Sequence, residues 1–164
     1  MKQYLPALLK ALPTTLYLLF ISVFFALILG FFLAWAEVGR IRPLKGIASV
    51  FISFMRGTPM LVQILLIFIL IPMIAYQNGV DTNNWNPSLY AIVAFSLNES
   101  AFFAEIFRSA YLSLDRGQME AAESLGMNKW QLFRRVIFPQ AAASALPNTT
   151  NMILELMKNT SIEP

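Results

Sequence analysis

The chain alternates long uncharged runs with short stretches that hold most of its charged residues. No residue is charged from 11 to 36, from 57 to 80 or from 82 to 98, and the third run continues as an apolar pattern to about Leu114. A fourth, weaker apolar stretch extends from about Phe138 to Met157. A helix needs roughly 20 apolar residues to cross a hydrocarbon core of about 30 Å, so the pattern predicts about four transmembrane helices.

The first run also has one feature of a secretory signal, because Ala34-Trp35-Ala36 matches the pattern of a cleavage site. The apolar region of a signal peptide spans only about 7–15 residues. This run is longer, and basic residues follow it as they follow a stop-transfer segment. We therefore expect a retained transmembrane helix.

The basic residues between the runs predict the orientation in the membrane. They fall in two stretches, residues 37–56 (Arg40, Arg42, Lys45 and Arg56) and residues 115–135 (Arg116, Lys129, Arg134 and Arg135). The turn at 81–87 carries Asp81 and neither Lys nor Arg. The positive-inside rule then places both basic stretches in the cytoplasm and the turn outside. The N-terminus is expected outside, despite Lys2 and Lys10.

Composition supports a membrane protein and excludes several kinds of chemistry. Of the 164 residues, 57% are apolar and 13% are charged, about half the roughly 25% that is usual in globular chains. The chain has neither Cys nor His, so it lacks thiolate nucleophiles and the commonest general base and metal ligand. We expect no enzyme active site and no metal site. Membrane orientation accounts for the net charge of +3, so we expect no nucleic-acid partner.

Capping signals predict a pair of short helices in the second basic stretch. Asp115 with Gln118, and Asn128 with Gln131, have the spacing of capping boxes. Gly126 is placed to end the first helix in a left-handed turn. The pattern predicts helices at about 116–125 and 129–137 that dock on a partner. The alternative is an amphipathic hairpin that rests on the lipid surface.

Prolines mark the ends of the predicted spans. Thr58-Pro59 suits the start of the second helix, with Thr58 as the N-cap and Pro59 as the first helical residue. Pro72 predicts a kink or an early end in that helix. Pro139 is expected to begin the fourth span.

Charged and polar residues inside the third run are candidates for a functional site. Glu99 lies about twelve residues into the run, near mid-membrane at 1.5 Å per residue, where a charge costs several kcal/mol unless it is paired or hydrated. Glu99 and the adjacent Asn98 either bind a transported amino acid or make structural contacts in the bundle. Glu105 and Arg108 are spaced i,i+3, which favours an ion pair.

Polar residues also recur in the fourth apolar stretch. Asn148, Asn151, Glu155 and Lys158 fall at i, i+3, i+7 and i+10, which places them on one face of a helix. Such a stripe in lipid faces either a water-filled path or a protein interface. Gln63 in the second run gives weaker evidence of the same kind.

The second basic stretch and its flanks resemble a family of transport proteins. Glu120-Ala121-Ala122, Gly126 and Pro139, with apolar Val136 and Phe138 between them, are similar to the EAA loop of binding-protein-dependent ABC importer permeases. The flanks resemble the polar amino-acid subfamily (histidine, glutamine, arginine and cystine type), in the segments Arg56-Gly57-Thr58-Pro59, Ala104-Glu105-Ile106 with Arg108, residues 129–134, Pro139-Gln140-Ala141 and Lys158-Asn159-Thr160-Ser161.

The resemblance implies an all-α integral membrane fold, the type I ABC importer transmembrane domain. Residues 1–164 would form one permease domain with about four of the usual five transmembrane helices, C-terminally incomplete, and residues 115–138 would form the cytoplasmic EAA coupling loop. It implies a bacterial plasma (inner) membrane protein with its N-terminus outside. The coupling residues would be Glu120, Ala121, Ala122 and Gly126.

The resemblance also implies partners, which are a second permease copy or paralogue, an ABC ATPase subunit and an extracytoplasmic amino-acid-binding protein. The sequence has no G-x-x-x-x-G-K-[ST] loop, so ATP and magnesium are expected on the ATPase and no cofactor in this chain. Candidates for the translocation path are Gln63, Asn98, Glu99, Asn151 and Glu155. Two other readings stay open: a secondary transporter or channel with Glu99 as its proton or cation site, and a truncated remnant that does not transport.

Overall fold

Every element in the described part of the chain is helical. The computed structural model describes the backbone of residues 5–82 and 84–162, and the side chains of residues 12–158 except residue 83. Lys2, and the side chains of Lys10 and of motif residues 159–161, lie outside it. The helices are α1 (Leu5–Val38), α2 (Arg42–Gly57), α3 (Met60–Gln77), α4 (Pro87–Leu112), α5 (Arg116–Ser124), α6 (Lys129–Leu132) and α7 (Phe138–Ile162), with a π-helical segment, Phe133–Ile137, between α6 and α7.

Three of these helices are long and apolar enough to cross a membrane. They are Leu12–Val38 within α1, Met60–Gln77 and Pro87–Leu112, which confirms the first three predicted spans. Large apolar side chains of α1 such as Phe20, Phe32 and Trp35 face outward, whereas α4 is largely buried in the bundle. The fourth predicted span is also a helix, α7, of 25 residues, but within the described residues it is not among the helices apolar enough to cross a membrane.

The packing of the bundle is centred on α4. Helix α1 makes its most extensive contacts with α4, and α2, α3 and α7 also pack on α4. At Gly30 of α1 a Cβ atom would lie 2.8 Å from the Cβ of Phe103 and 3.0 Å from the carbonyl of Ser100. The absence of a side chain at Gly30 therefore permits the close approach of α1 to α4.

Helix α2 was missed by the sequence analysis, which treated residues 37–56 only as a basic cytoplasmic stretch. Ala48 and Ile52 are buried, and Ile52 packs with Ala34 of α1 and Ala101 of α4. The i,i+4 spacing of the two buried residues is the signal that would have identified this amphipathic helix.

The structure bears on two expectations about prolines. Pro72 lies inside α3, which continues to Gln77, so this proline does not end the helix. Pro139 does not restart the chain, because the backbone stays helical from Lys129 through the π-helical segment into α7. Pro139 is the second residue of α7 as bounded here, and the π-helical segment rather than the proline marks the join.

Candidate functional site

The helical backbone is broken between α2 and α3, and side chains bond to backbone groups at the break. Thr58 is the C-cap of α2, with an extended backbone, and Pro59 is the residue before α3. The Thr58 hydroxyl donates to the carbonyl of Phe54 at 2.9 Å and so does not cap α3. The predicted N-cap role of Thr58 and first-helical role of Pro59 are therefore wrong by one position. The break itself lies within the predicted motif Arg56-Gly57-Thr58-Pro59.

Gln63 connects this break to α4. Its Nε2 donates to the Met55 carbonyl at 2.8 Å, and its Oε1 accepts from Asn98 Nδ2 at 2.9 Å. Gln63 and Asn98 are both buried. The structure thus brings together two of the predicted path residues, about halfway along α4.

Glu99 is buried in the bundle without a hydrogen-bonding partner on one of its oxygens. The residue is 2% exposed, and its Oε2 makes no hydrogen bond within the described part of the chain. Glu155 lies on α7, which packs against α4. The buried Ser22 hydroxyl of α1 also has no described partner. A buried carboxylate in this state is able to accept hydrogen bonds from a cationic ligand.

The predicted polar stripe occupies α7 and is open to its surroundings. Asn148, Asn151, Glu155 and Lys158 are all exposed in the isolated chain. The helix is continuous across Pro147, so the stripe keeps the helical spacing expected from the sequence. Since charged residues within a membrane face protein or water, this side of α7 is a candidate wall of a path or an interface.

An ion-pair network lies near the cytoplasmic end of α4. Arg108 donates to both carboxylate oxygens of Glu105, at 2.6 and 3.1 Å, which confirms the predicted pair. Arg108 also lies 3.5 Å from Glu37 of α1, and Arg56 of α2 lies 3.7 Å from Glu105. Sequence reasoning missed Glu37 as a partner, because it lies on a different helix from Arg108.

The hairpin formed by α5 and α6 has the predicted turn and the predicted start of its second helix, but α6 ends at Leu132 and not at 137. Gly126 has a φ of +80°, which is the left-handed turn expected after the first helix. The Asn128 side chain accepts from the Gln131 N–H at 2.9 Å, and the Gln131 side chain accepts from the Asn128 N–H at 3.0 Å. These bonds confirm the second capping box.

The first predicted capping box is not formed, although its first residue does cap the helix. The Asp115 side chain accepts from the Gly117 N–H at 2.8 Å, so Asp115 is the N-cap of α5. Gln118 instead accepts from Gln140 Nε2 of α7 at 2.7 Å. The tertiary contact with α7 has replaced the local bond, and it fixes the hairpin to the start of α7.

The residues of the EAA motif divide between the surface and the interior of the hairpin. Glu120 and Ala121 are exposed, whereas Ala122 is buried. No ion pair of Glu120 is found among the described residues. Glu120 and Ala121 therefore lie on the exposed face of α5, and Ala122 faces the interior of the protein.

Known proteins resemble this chain over almost its whole length. The L-cystine transport system permease protein TcyL of Bacillus subtilis (strain 168) is 41% identical over 160 residues, covering 98% of this chain and 67% of that protein. The probable amino-acid ABC transporter permease protein PatM of Vibrio harveyi is 39% identical over 163 residues, covering 99% and 71%. The chain therefore spans about two thirds of the length of these relatives.

Solved structures show the same fold. The crystal structure of an amino acid ABC transporter with histidines superposes with a TM-score of 0.82 at 36% identity, covering 99% of this chain and 72% of that one. An inward-facing MetNI methionine ABC transporter superposes with a TM-score of 0.70 at 23% identity, which bears on the fold alone. The predicted all-α type I ABC importer fold is confirmed. Residues 26–162 match the family model of the binding-protein-dependent transport system inner membrane component, and the chain belongs to that family of permeases.

Proposed function

We propose that this permease carries polar amino acids across the plasma membrane as part of an ABC importer. The relatives named above are permeases for L-cystine and for amino acids, and they match nearly the whole chain. Within this assignment the chain supplies the path and performs no catalysis, and ATP with its magnesium binds to a separate ATPase subunit.

One observation carries this proposal, namely that a single helix joins a buried polar site to the hairpin. Helix α4 holds Asn98 and Glu99 about halfway along its length, and only three residues separate its end at Leu112 from the start of α5 at Arg116. A displacement of the hairpin is thus passed through a short connection to the helix that holds the buried carboxylate.

The hairpin is the surface that we propose for the ATPase. Exposed Glu120 and Ala121 supply the contact, while buried Ala122 and the left-handed Gly126 hold the two short helices in place. The capped ends make the hairpin a defined surface, as a docking site requires. The coupling loop at 115–138 then extends through α6 and the π-helical segment to the start of α7.

The polar residues of the bundle form the translocation path in this proposal. Glu99 accepts the ammonium group of the amino acid, and the α7 stripe lines the route. The path residues are Gln63, Asn98, Glu99, Asn151 and Glu155. A second permease copy or paralogue closes the path against the exposed face of α7, and an amino-acid-binding protein delivers the substrate from outside.

The orientation has the N-terminus outside and the hairpin in the cytoplasm. The basic stretches at 37–56 and 115–135 support it through the positive-inside rule. The hairpin then lies on the side where ATP is available.

Reconstitution of the assembled transporter in proteoliposomes tests the function. ATP and the ATPase are placed on the hairpin side, and the binding protein with radiolabelled amino acids is placed on the other. We expect uptake of a polar amino acid that needs both ATP and the binding protein. Uptake that does not depend on ATP would contradict the proposal. A transporter that takes up none of the polar amino acids tested would also contradict it.

A further inference from the structure

The buried side chain of α3 is a glutamine at the start of the helix. Among the residues of α3, all of which are described, Gln63 is the buried one. Its Nε2 lies 2.8 Å from the Met55 carbonyl, 3.2 Å from the Thr58 carbonyl and 2.5 Å from Thr58 Oγ1. An amide nitrogen has two hydrogens, so these acceptors at the end of α2 occupy the whole donor side of Gln63.

The acceptor side of Gln63 is bonded to a different helix. Oε1 accepts from Asn98 Nδ2 of α4 at 2.9 Å. Inside a membrane no bulk water replaces such bonds, and each unsatisfied polar group costs several kcal/mol. One carboxamide thus joins the end of α2, the start of α3 and the middle of α4.

A second contact lies on the other side of the break and reaches the same face of α4. The Arg56 guanidinium lies 3.7 Å from Glu105 and 5.7 Å from the ring centre of Phe102. Asn98, Phe102 and Glu105 are spaced i, i+4 and i+7, so they share one face of α4. The break is therefore held against α4 both before and after Thr58-Pro59.

We propose that Gln63 is a positioning residue that fastens the α2–α3 break to α4 through Asn98, so that the break moves with α4 when the coupling hairpin moves. This inference rests on the proposed function, in which the hairpin transmits the movement of the ATPase. The Gln63–Asn98 bond then carries that movement from α4 to the start of α3.

The test removes the bond on the α4 side. Asn98→Leu keeps the size of the side chain and deletes the donor, while the bonds from Gln63 to α2 stay available. Ser96→Ala is the matched control, because Ser96 is also buried in α4 and its hydroxyl donates to the Ser22 carbonyl of α1 at 3.4 Å. Spin labels at cysteines replacing the exposed Leu61 and Leu112 report the distance between the start of α3 and the end of α4.

We expect the wild-type and Ser96→Ala transporters to keep one narrow distance distribution with and without ATP. In Asn98→Leu the distribution should broaden or shift when ATP binds. Amino acid transported per ATP hydrolysed should fall by about three- to fifteenfold, as expected for the loss of one interhelical hydrogen bond in a membrane.

An Asn98→Leu transporter with the wild-type distance distribution and transport ratio would overturn the inference. If Asn98→Leu does not assemble, Gln63→Met removes the same bond from the α3 side, and failure of both variants to assemble would show a folding role and also overturn it. A wild-type complex that transports no amino acid would contradict the proposed function, whereas the distance measurement would still test the bond.

Discussion

Single residues were predictable where their partners are close in sequence. The i,i+3 spacing of Glu105 and Arg108 predicted an ion pair, and both of its hydrogen bonds are present. The position of Glu99 in an uncharged run predicted a carboxylate inside the bundle, and it is 2% exposed. The contact of Arg108 with Glu37 joins two different helices, and no local pattern relates residues so far apart in the chain.

The role of Glu99 is tested by Glu99→Gln, which keeps the size of the side chain and removes its charge. If the carboxylate binds the ammonium group of the substrate, the half-saturation concentration for uptake should rise by about ten- to a hundredfold, since a hydrogen bond to a charged group contributes roughly 1.5–3 kcal/mol. Uptake is measured against substrate concentration and normalised to the amount of assembled transporter.

Glu105→Gln is the control for that measurement, because it weakens an observed ion pair outside the proposed path. We expect it to lower the yield of assembled transporter and to leave the half-saturation concentration unchanged. The same pattern in Glu99→Gln would assign Glu99 a structural role and remove it from the path.

At the scale of elements, capping signals predicted the ends of helices better than prolines did. Asn128 with Gln131 forms the predicted box, and Gly126 adopts the predicted left-handed turn. Pro139 was read as the start of a helix, but the helical backbone reaches it without a break through the π-helical segment. The π-helical segment could not be predicted, because Phe133–Ile137 carries the same apolar and basic residues as an ordinary helical turn.

The hairpin is tested through its turn with Gly126→Val and Gly126→Asn. A Cβ atom at Gly126 would meet no other atom within 4 Å, so the effect of a substitution comes from the backbone conformation. A left-handed conformation costs an L-residue about 1–2 kcal/mol, and it is least favourable for a β-branched side chain. Asn adopts it more readily.

We therefore expect Gly126→Val to reduce the amount of ATPase that co-purifies with the permease, and Gly126→Asn to retain most of it. Equal recovery of the ATPase with both variants and the wild type would show that this turn does not hold the docking surface.

At the scale of the whole molecule, the spans were predictable and their packing was not. Uncharged runs set the number of membrane helices because every buried charge in lipid is costly. The close contact of α1 with α4 depends on Gly30 lying against Ser100 and Phe103. Which helix faces fit together in this way cannot be predicted from the uncharged run of either helix alone. The family could be identified from the order of the sequence motifs, because motif order is read from the sequence and does not depend on how the helices pack.

The proposed orientation is tested by single cysteines at two exposed sites in a chain that has no cysteine of its own. An impermeant thiol reagent added to intact spheroplasts should label a cysteine at Asn84, in the turn before α4. It should label one at Leu125, in the hairpin, only after the membrane is permeabilised. The reverse pattern would place the hairpin outside and exclude its contact with a cytoplasmic ATPase.

The central claim is that ATP hydrolysis drives amino acid import through this permease, and the energy source of uptake tests it most directly. Cells that express the assembled transporter are given a labelled polar amino acid together with either a protonophore or an ATP-depleting treatment that preserves the proton gradient. We predict that initial uptake survives the protonophore and stops on ATP depletion. Uptake that stops with the protonophore and survives ATP depletion would contradict the claim and would favour a proton-coupled carrier that uses Glu99.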